Sequence, residues 1–444
     1  MKITDYSGVT TLTNTVKVPV IQDNTLKLAP VETFDIDRPV FVTNRNEFLF
    51  QDNLYVSNGS GSPISRCFRS KRYSHKTLVI AGPRLVFANS RITANGEVTE
   101  IPILRDANGT ITNSASSPNA NNIYVRASIE NPAGGTHIPV WFNGKREVTI
   151  EPGGFAISDP VGITLPADTA FFIRTNVRVA FVGDVWPQTH NSLPSGEGET
   201  FTNTDNVDTA TAMTTFFGGA QYAPVAILGS VKQKVPSILL VGSSSTFGQG
   251  DDFVIDNTTR DYGYLARLLN NEFCYAKHAR ASGSLLQMTT DSRRRLALAY
   301  AMQPTHVIIQ HGGNDINNGA SFEAMQTRMQ TVWAMYSTQG IKVIQSTITP
   351  TTTSTDGWTS KAGQTVDAQN GVRTAVNDWL RSNPAGLWGV IDPAVVVEDP
   401  TDSGLWRSDL VGGASWTSDG THLRPAAHAA VATALVPAKS LFGF

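Results

Sequence analysis

The sequence predicts a β-sandwich or jelly-roll-like domain over residues 1–186, followed by a doubly wound α/β domain with a parallel sheet over 235–444. Three observations carry this expectation. The first part holds short, alternating apolar runs broken by Gly, Pro and Asn. The last part holds nearly continuous apolar strands between helical patterns, as expected for a sheet covered on both faces. Between them a polar, Thr/Asn/Gly-rich stretch opens a linker and docking segment over 187–234.

In the first part, strands are expected at Val16–Ile21, Val40–Val42, Ile123–Ala127, Ile138–Phe142, Phe171–Arg174 and Val177–Val182. Asn143-Gly144 and Pro152-Gly153-Gly154 supply turns. Pro19 and Pro139 cannot donate to a central ladder, which places their strands at sheet edges. Phe216, Phe217 and Tyr222 are expected to dock the end of the polar stretch on a domain.

In the last part, strands are expected at Ser237–Val241, Val307–Ile309, Val343–Ile344 and Val390–Ile391. They alternate with helices over Tyr262–Asn271, Leu285–Met302, Phe322–Tyr336, Val372–Leu380 and Pro425–Leu435.

Composition narrows the function. The chain has 444 residues, enough for two or three domains and a large core. Charged residues make up 16% against a usual ~25%, and the net charge is −2, which argues against binding driven by nucleic-acid phosphates. No apolar run approaches the ~18 residues of a membrane span, and Met1–Tyr6 is not followed by the apolar core of a secretory signal. A soluble protein is expected, compatible with an extracellular or virion-associated site reached by another route. Cys67 and Cys274 form neither a disulfide framework nor a zinc pattern and read as unpaired thiols.

Three segments of the α/β half can carry chemistry. Gly242-Ser243-Ser244-Ser245-Thr246-Phe247-Gly248 follows an apolar strand, where a serine can point into the crevice at the strand ends. Gly312-Gly313-Asn314-Asp315 follows another, where a neutral amide can donate to a developing oxyanion. In Asp419-Gly420-Thr421-His422 the carboxylate can hold one imidazole nitrogen and leave the other free as a base. Pro425 suits the first turn of the helix that follows. Each segment alone is also a plain turn or cap; together, in one half and in this order, they carry more weight.

On these blocks the region from about 235 to 444 resembles the SGNH (GDSL-type) hydrolases. The resemblance implies Ser244 as nucleophile, His422 as its general base and Asp419 as the residue orienting His422. It implies an oxyanion hole of the Ser244 amide, the Gly283 amide and the Asn314 side chain. Gly283, within Ala281-Ser282-Gly283-Ser284, matches the family's second block least distinctively. The family aspartate before the nucleophile is Ser243 here, which leaves Ser243 and Ser245 as alternative nucleophiles; the positions of Thr246 and Gly248 favour Ser244. No cofactor and no metal is implied, since His311, His422 and His428 form no ligand set with carboxylates.

The activity expected is ester hydrolysis, with O-acetylated carbohydrate as the substrate by analogy with deacetylases of plant-cell-wall systems and phage tails. The alternatives are a carboxylesterase for short acyl esters and a non-catalytic glycan-binding virion or surface protein. Nucleic acid and membrane are not expected partners, and a homo-oligomer is compatible. A solvated helix face is expected for Arg293-Arg294-Arg295, ahead of acidic-glycan binding, and a polar loop for Asp251-Asp252, ahead of calcium binding. Trp416 is placed equally in a cleft wall or a core, while Trp141 and Trp186 are read as core more than as sugar platforms.

Overall fold

The structure is a computed structural model. It describes residues 39–42, 64–90, 121–188, 200–209, 213, 221–252, 261–269, 272–290 and 292–443, and the backbone of strands Lys17–Gln22, Thr25–Pro30 and Leu54–Val56. Phe216 and Phe217 lie outside the described residues, as does Val16.

The first half is strand-rich. One antiparallel sheet runs in the order Phe155–Ile157, Ile80–Ala88, Ala226–Ser230, Val40–Phe41. A second runs Thr200–Thr202, Ser65–Tyr73, Ala170–Arg178, Ile123–Glu130, His137–Pro139. Both sheets give side chains to one core, with Leu85, Phe87 and Ile227 meeting Phe68, Val125 and Ile173. Pro139 sits on an edge strand, as its missing N–H requires. Asn143 and Gly144 both have positive φ, 50° and 74°, between bridged Phe142 and Lys145. That is the turn an Asn-Gly pair favours. The separate runs at Phe171–Arg174 and Val177–Val182 prove to be one strand ending at Arg178, with Phe181 exposed in the loop beyond.

The stretch expected as linker holds strands of its own. Thr200–Thr202 joins the second sheet and Ala226–Ser230 lies inside the first. Tyr222 docks as expected: it is buried, stacks on Phe87 and donates from its hydroxyl to the Ala88 carbonyl at 3.1 Å. The first sheet is apolar on both faces. Leu85 and Phe87 enter the β core, whereas Val86, Ala88, Ala226 and Leu228 enter the core of the α/β half. The two halves therefore share a buried layer.

In the second half five parallel strands run in the order Tyr275–Ala279, Ile238–Gly242, His306–Gln310, Lys342–Ser346, Gly389–Ile391. This is the doubly wound order 2-1-3-4-5. Alternation in the strands feeds both faces. Leu239 and Val241 pack with helices α3 (Leu285–Thr290), α4 (Arg293–Met302) and α6 (Phe322–Ser337). Ile238 and Leu240 pack with α2 (Tyr264–Leu269), α8 (Ala394–Val397) and α9 (Pro425–Ala434).

The structure departs from the sequence pattern at three places. The single helix over Leu285–Met302 is two helices, because Thr289 and Thr290 turn their hydroxyls back onto the Leu286 carbonyl at the end of α3. The strand Tyr275–Ala279 carries buried Lys277 and His278, so no apolar run announces it. Lys277 is held by Asp261 at 2.9 Å and by the Tyr262 carbonyl. Arg295, expected on a solvated face, is buried. Cys67 and Cys274 are free and buried, and burial raises both thiol pKa values, that of Cys67 to about 12. Among the described residues no helix is long and apolar enough to cross a membrane.

Glu130 is the charged centre of the β half. It is fully buried and accepts from Arg69 at 2.7 Å and from Arg174. Burial pushes its carboxyl up, but the two guanidiniums outweigh burial and hold it below its ordinary value. Glu130→Ala removes the carboxylate that half-buried Arg69 and buried Arg174 share and should cost about 3–5 kcal/mol in urea unfolding. A depressed folded pKa gives stability that is present above the ordinary carboxylate value and is lost as pH falls through the folded one. Wild type should therefore lose stability in acid more steeply than Glu130→Gln.

Candidate active site

The site is assembled where the sheet order reverses. Ile238–Gly242 ends in α1 (Ser244–Phe247), a single turn closed by Gly248 at φ 95°. Gly242 has no room for a side chain: a Cβ there would strike the Thr246 hydroxyl and the Gln310 carbonyl. The neighbouring strand His306–Gln310 ends in α5 (Gly313–Asn317). The Asp419–His422 turn lies ahead of α9 and meets both.

Ser244 Oγ lies 2.8 Å from His422 Nε2, and His422 Nδ1 lies 2.6 Å from Asp419 Oδ2. The other Asp419 oxygen accepts the backbone N–H of His422 at 2.8 Å and of Thr421 at 2.9 Å. Partial burial raises the Asp419 carboxyl pKa, but these hydrogen bonds outweigh it and the net shift is downward, so it stays ionised beside the imidazole. The arrangement can hold the ring in one tautomer, with Nε2 free to take the serine proton. Ser243 and Ser245 also line the cleft, but it is Ser244 whose hydroxyl meets the imidazole. Ser243 sits at the N-cap of α1 with no side-chain cap bond.

The three expected oxyanion donors are placed unequally. Ser244 opens α1, so its N–H has no acceptor within the helix. Asn314 Nδ2 donates to the Gly283 carbonyl at 2.9 Å, which uses one of its two amide hydrogens. The Gly283 N–H donates to the Arg280 carbonyl at 3.0 Å, closing a turn with Ser282 at φ 61°. Gly283 thus serves first as the acceptor that orients Asn314. Asp315 ties the two blocks together: it accepts from Leu285 and Leu286 N–H at the start of α3 and from Arg328. Burial dominates at this carboxyl and its pKa is raised.

A polar chain behind Ser244 was not legible in the motifs. Thr246 Oγ1 donates to Gln310, Gln310 donates to the Tyr264 hydroxyl, and that hydroxyl contacts Ser346. His428, pushed down to about 4 chiefly by burial, accepts the Tyr264 N–H at 3.1 Å; it belongs to this scaffold and to no metal set. Asp251 accepts Arg267 and the Gly263 N–H in a buried pair that fixes the loop after α1; Asp252 accompanies it in the loop. Among the described residues no group of three or more His, Cys, Asp or Glu could hold a metal ion.

The tryptophans act through the backbone. Trp406 is fully buried and donates from Nε1 to the Gly420 carbonyl at 3.0 Å, which also accepts the Thr352 N–H. Gly420, at φ 77°, could not carry a Cβ without striking Thr352. The Asp419–His422 turn is pinned there. Trp416 is core and donates to the Asp409 carbonyl. Trp186 is core, whereas Trp141 is exposed beside Arg146.

An open cleft lies over Ser244. Its walls are Gln310, Asn314, Asn317, Thr347, Thr349, Thr351 and Thr421, with Ile348 the aliphatic exception and His311 at the back. His311 is buried, neither ring nitrogen meets a hydrogen-bond partner among the described residues, and burial lowers its pKa to about 3.

Residues 240–430 match the family model of the GDSL-like lipase/acylhydrolase family. The C-terminal half of the chain is a GDSL-type hydrolase domain. Its enzyme class is carboxylic ester hydrolase. Solved structures similar to it include a GDSL-like lipase from Bacteroides thetaiotaomicron, at 12% identity over 46% of this chain and 86% of that one, with a TM-score of 0.32. A lipolytic G-D-S-L family member from Veillonella parvula has 17% identity over 44% and 93%, TM-score 0.32. The psychrotrophic esterase EstA from Pseudoalteromonas sp. has 16% identity over 46% and 98%, TM-score 0.32. No curated protein matches the chain.

Removing the indole donor tests the pinning of the GDSL-type turn. Trp406→Phe should cost about 1 kcal/mol of stability, one buried hydrogen bond. It should lower ester turnover by roughly tenfold through misplacement of His422, with KM little changed. Unchanged turnover alongside the stability loss would show that Gly420 is held well enough by Thr352 alone.

Proposed function

We propose that the GDSL-type domain is a serine esterase that removes O-acetyl groups from carbohydrate. Ser244 is the nucleophile, His422 its general base and Asp419 the group that orients and stabilises the imidazolium. The oxyanion hole is the Ser244 N–H and the second Asn314 amide hydrogen, with the Gly283 N–H as a third donor if its bond to the Arg280 carbonyl is shared.

The observation that carries the substrate class is the cleft lining. Each buried methylene of an acyl chain is worth ~0.8 kcal/mol, but only against apolar walls. A cleft of Thr hydroxyls and Asn and Gln amides offers no such gain to a long chain. It does offer alternating donors and acceptors to a polyhydroxylated alcohol. A short acyl group and a sugar alcohol fit both facts. The strand-rich half, whose two sheets feed one core, is read as a β-sandwich module that supports the catalytic half through their shared layer.

The reaction proceeds in two steps. As Ser244 Oγ bonds to the acetyl carbon, its proton passes to His422 Nε2, and the carbonyl oxygen takes up charge in the donor hole. The bond to the sugar oxygen then breaks and His422 returns the proton to that oxygen. Water next gives a proton to His422 and its oxygen to the acyl carbon. Acetate leaves and Ser244 recovers its proton. Asp419 stays ionised throughout.

Release of p-nitrophenol from acetate and octanoate esters separates the possibilities. Wild type should favour acetate, and Ser244→Ala should lose turnover with both. Asn314→Ala should lower kcat by about 10²–10³ if its amide supports the oxyanion. A preference for octanoate would overturn the carbohydrate reading, and full activity in Ser244→Ala would overturn the nucleophile. Release of acetate from acetylated polysaccharide is the direct check of the substrate.

A further inference from the structure

His311 stands at the back of the cleft, one step past the strand His306–Gln310 and shortly before Asn314. It is 3% exposed. Burial and the Arg295 guanidinium hold its imidazole neutral, and the Gly283 carbonyl counters only part of that lowering. Neither ring nitrogen meets a partner at hydrogen-bonding geometry among the described residues. A buried polar group in that state is costly, because it has lost its water and gained nothing in exchange. The nearest backbone shows what the cost serves.

That backbone is Gly283. A Cβ on Gly283 would stand 3.0 Å from His311 Cε1, 3.0 Å from the Arg280 carbonyl oxygen and 3.4 Å from that of Gly242. The edge of the imidazole therefore lies directly against the Gly283 Cα, and the absence of a side chain at 283 is what lets it come so close. The same glycine aims Asn314: its carbonyl accepts Asn314 Nδ2 at 2.9 Å. Residues 311 and 314 of one segment thus close on Gly283 as a clasp. A carbonyl oxygen has two lone pairs, so Gly283 has room for a second donor beside Asn314. A neutral imidazole carries one N–H to give in either tautomer. Hydrogen bonds of this kind are often long before substrate arrives and tighten only in the reacting complex.

We propose that His311 is a positioning residue for ester hydrolysis: its imidazole props Gly283 and gives its N–H to the Gly283 carbonyl in the transition state. Asn314 then keeps one amide hydrogen on Gly283 and turns the other on the oxyanion from a fixed angle. The proposal rests on the reading of Asn314 as an oxyanion donor. His311 has no hydrogen bond to Ser244, His422 or Asp419, so it acts through Gly283 and Asn314 and not on the ester. An aliphatic side chain would fill the same space but leave the carbonyl with a single donor.

The test measures kcat and KM for p-nitrophenyl acetate, together with urea unfolding, in wild type, His311→Leu, His311→Gln, Asn314→Ala and the His311→Leu/Asn314→Ala double variant. Loss of an oxyanion donor costs about 10²–10³ in kcat, and loss of a residue that only aims one should cost less, roughly tenfold. His311→Leu should lower kcat by that factor with KM unchanged. Its urea midpoint should stay level or rise, because no buried polar atom is left unpaired. His311→Gln keeps a neutral N–H donor and should recover most of the rate. In the Asn314→Ala background His311→Leu should add little, since the group it aims is gone. Wild-type kcat in His311→Leu would overturn the proposal, as would a loss of the same size with and without Asn314. Equal losses in the Leu and Gln variants alongside a lowered urea midpoint would mean a packing role and overturn it too. Full activity in Asn314→Ala would remove the oxyanion reading itself, and the role of His311 would fall with it.

Discussion

Strands Ile238–Gly242 and His306–Gln310 lie side by side in register, yet their continuations leave on opposite faces of the sheet. The first passes through α1 to α2, whose side chains pack with α9; the second passes through α5 to α6, on the face shared with the β half. That divergence is the constraint on which the site depends. Two chains cannot part in this way without leaving a crevice between their ends. Ser244 stands on one side of it and Asn314 on the other. Everything else in the site either bridges the gap or keeps it from widening.

The bridges differ in kind. His422 reaches in from a turn 178 residues beyond Ser244 in the chain. Such a long-range contact must be held from behind, and the Trp406 indole and Thr352 N–H do so at the Gly420 carbonyl. Asp315 works across the other side, joining the start of α3 to α5 and so fixing Gly283 against Asn314. A buried carboxylate in that place is costly unless its partners are all present. Here two backbone donors and Arg328 supply them.

What the sequence made legible was whatever repeats or punctuates. The apolar runs Ser237–Val241 and Val307–Ile309 mark two strands, and the three chemical blocks follow strands or precede a helix, as short motifs do. Tyr275–Ala279 was hidden because a parallel strand with buried Lys277 and His278 looks like a loop until Asp261 is brought to it from another segment. The role of Ala226–Ser230 was hidden for a similar reason: a five-residue strand after a long polar stretch reveals nothing of the sheet it completes. Pattern shows which residues want to be buried, but not which distant partner makes burial possible. The Thr246–Gln310–Tyr264 chain and the Trp406 bond belong to that second class. The Gly283 N–H does too, since only the folded turn shows it engaged by the Arg280 carbonyl.

The serine at position 243 is best understood against this background. The family's aspartate would bring a charge to the N-terminal edge of α1; Ser243 brings none, and its hydroxyl makes no cap bond there. The turn that carries Ser244 is instead fixed from the other side. Gly242 admits Thr246 against the strand, Thr246 hands a hydrogen bond to Gln310, and the buried Asp251–Arg267 pair holds the chain that follows. These contacts restrain the backbone of α1 without adding charge next to Ser244. A nucleophile's position depends on such restraint, while its activation depends on the base it faces. The substitution therefore removes a local charge but leaves intact both the scaffold that aims Ser244 and the Asp419–His422 pair that meets it.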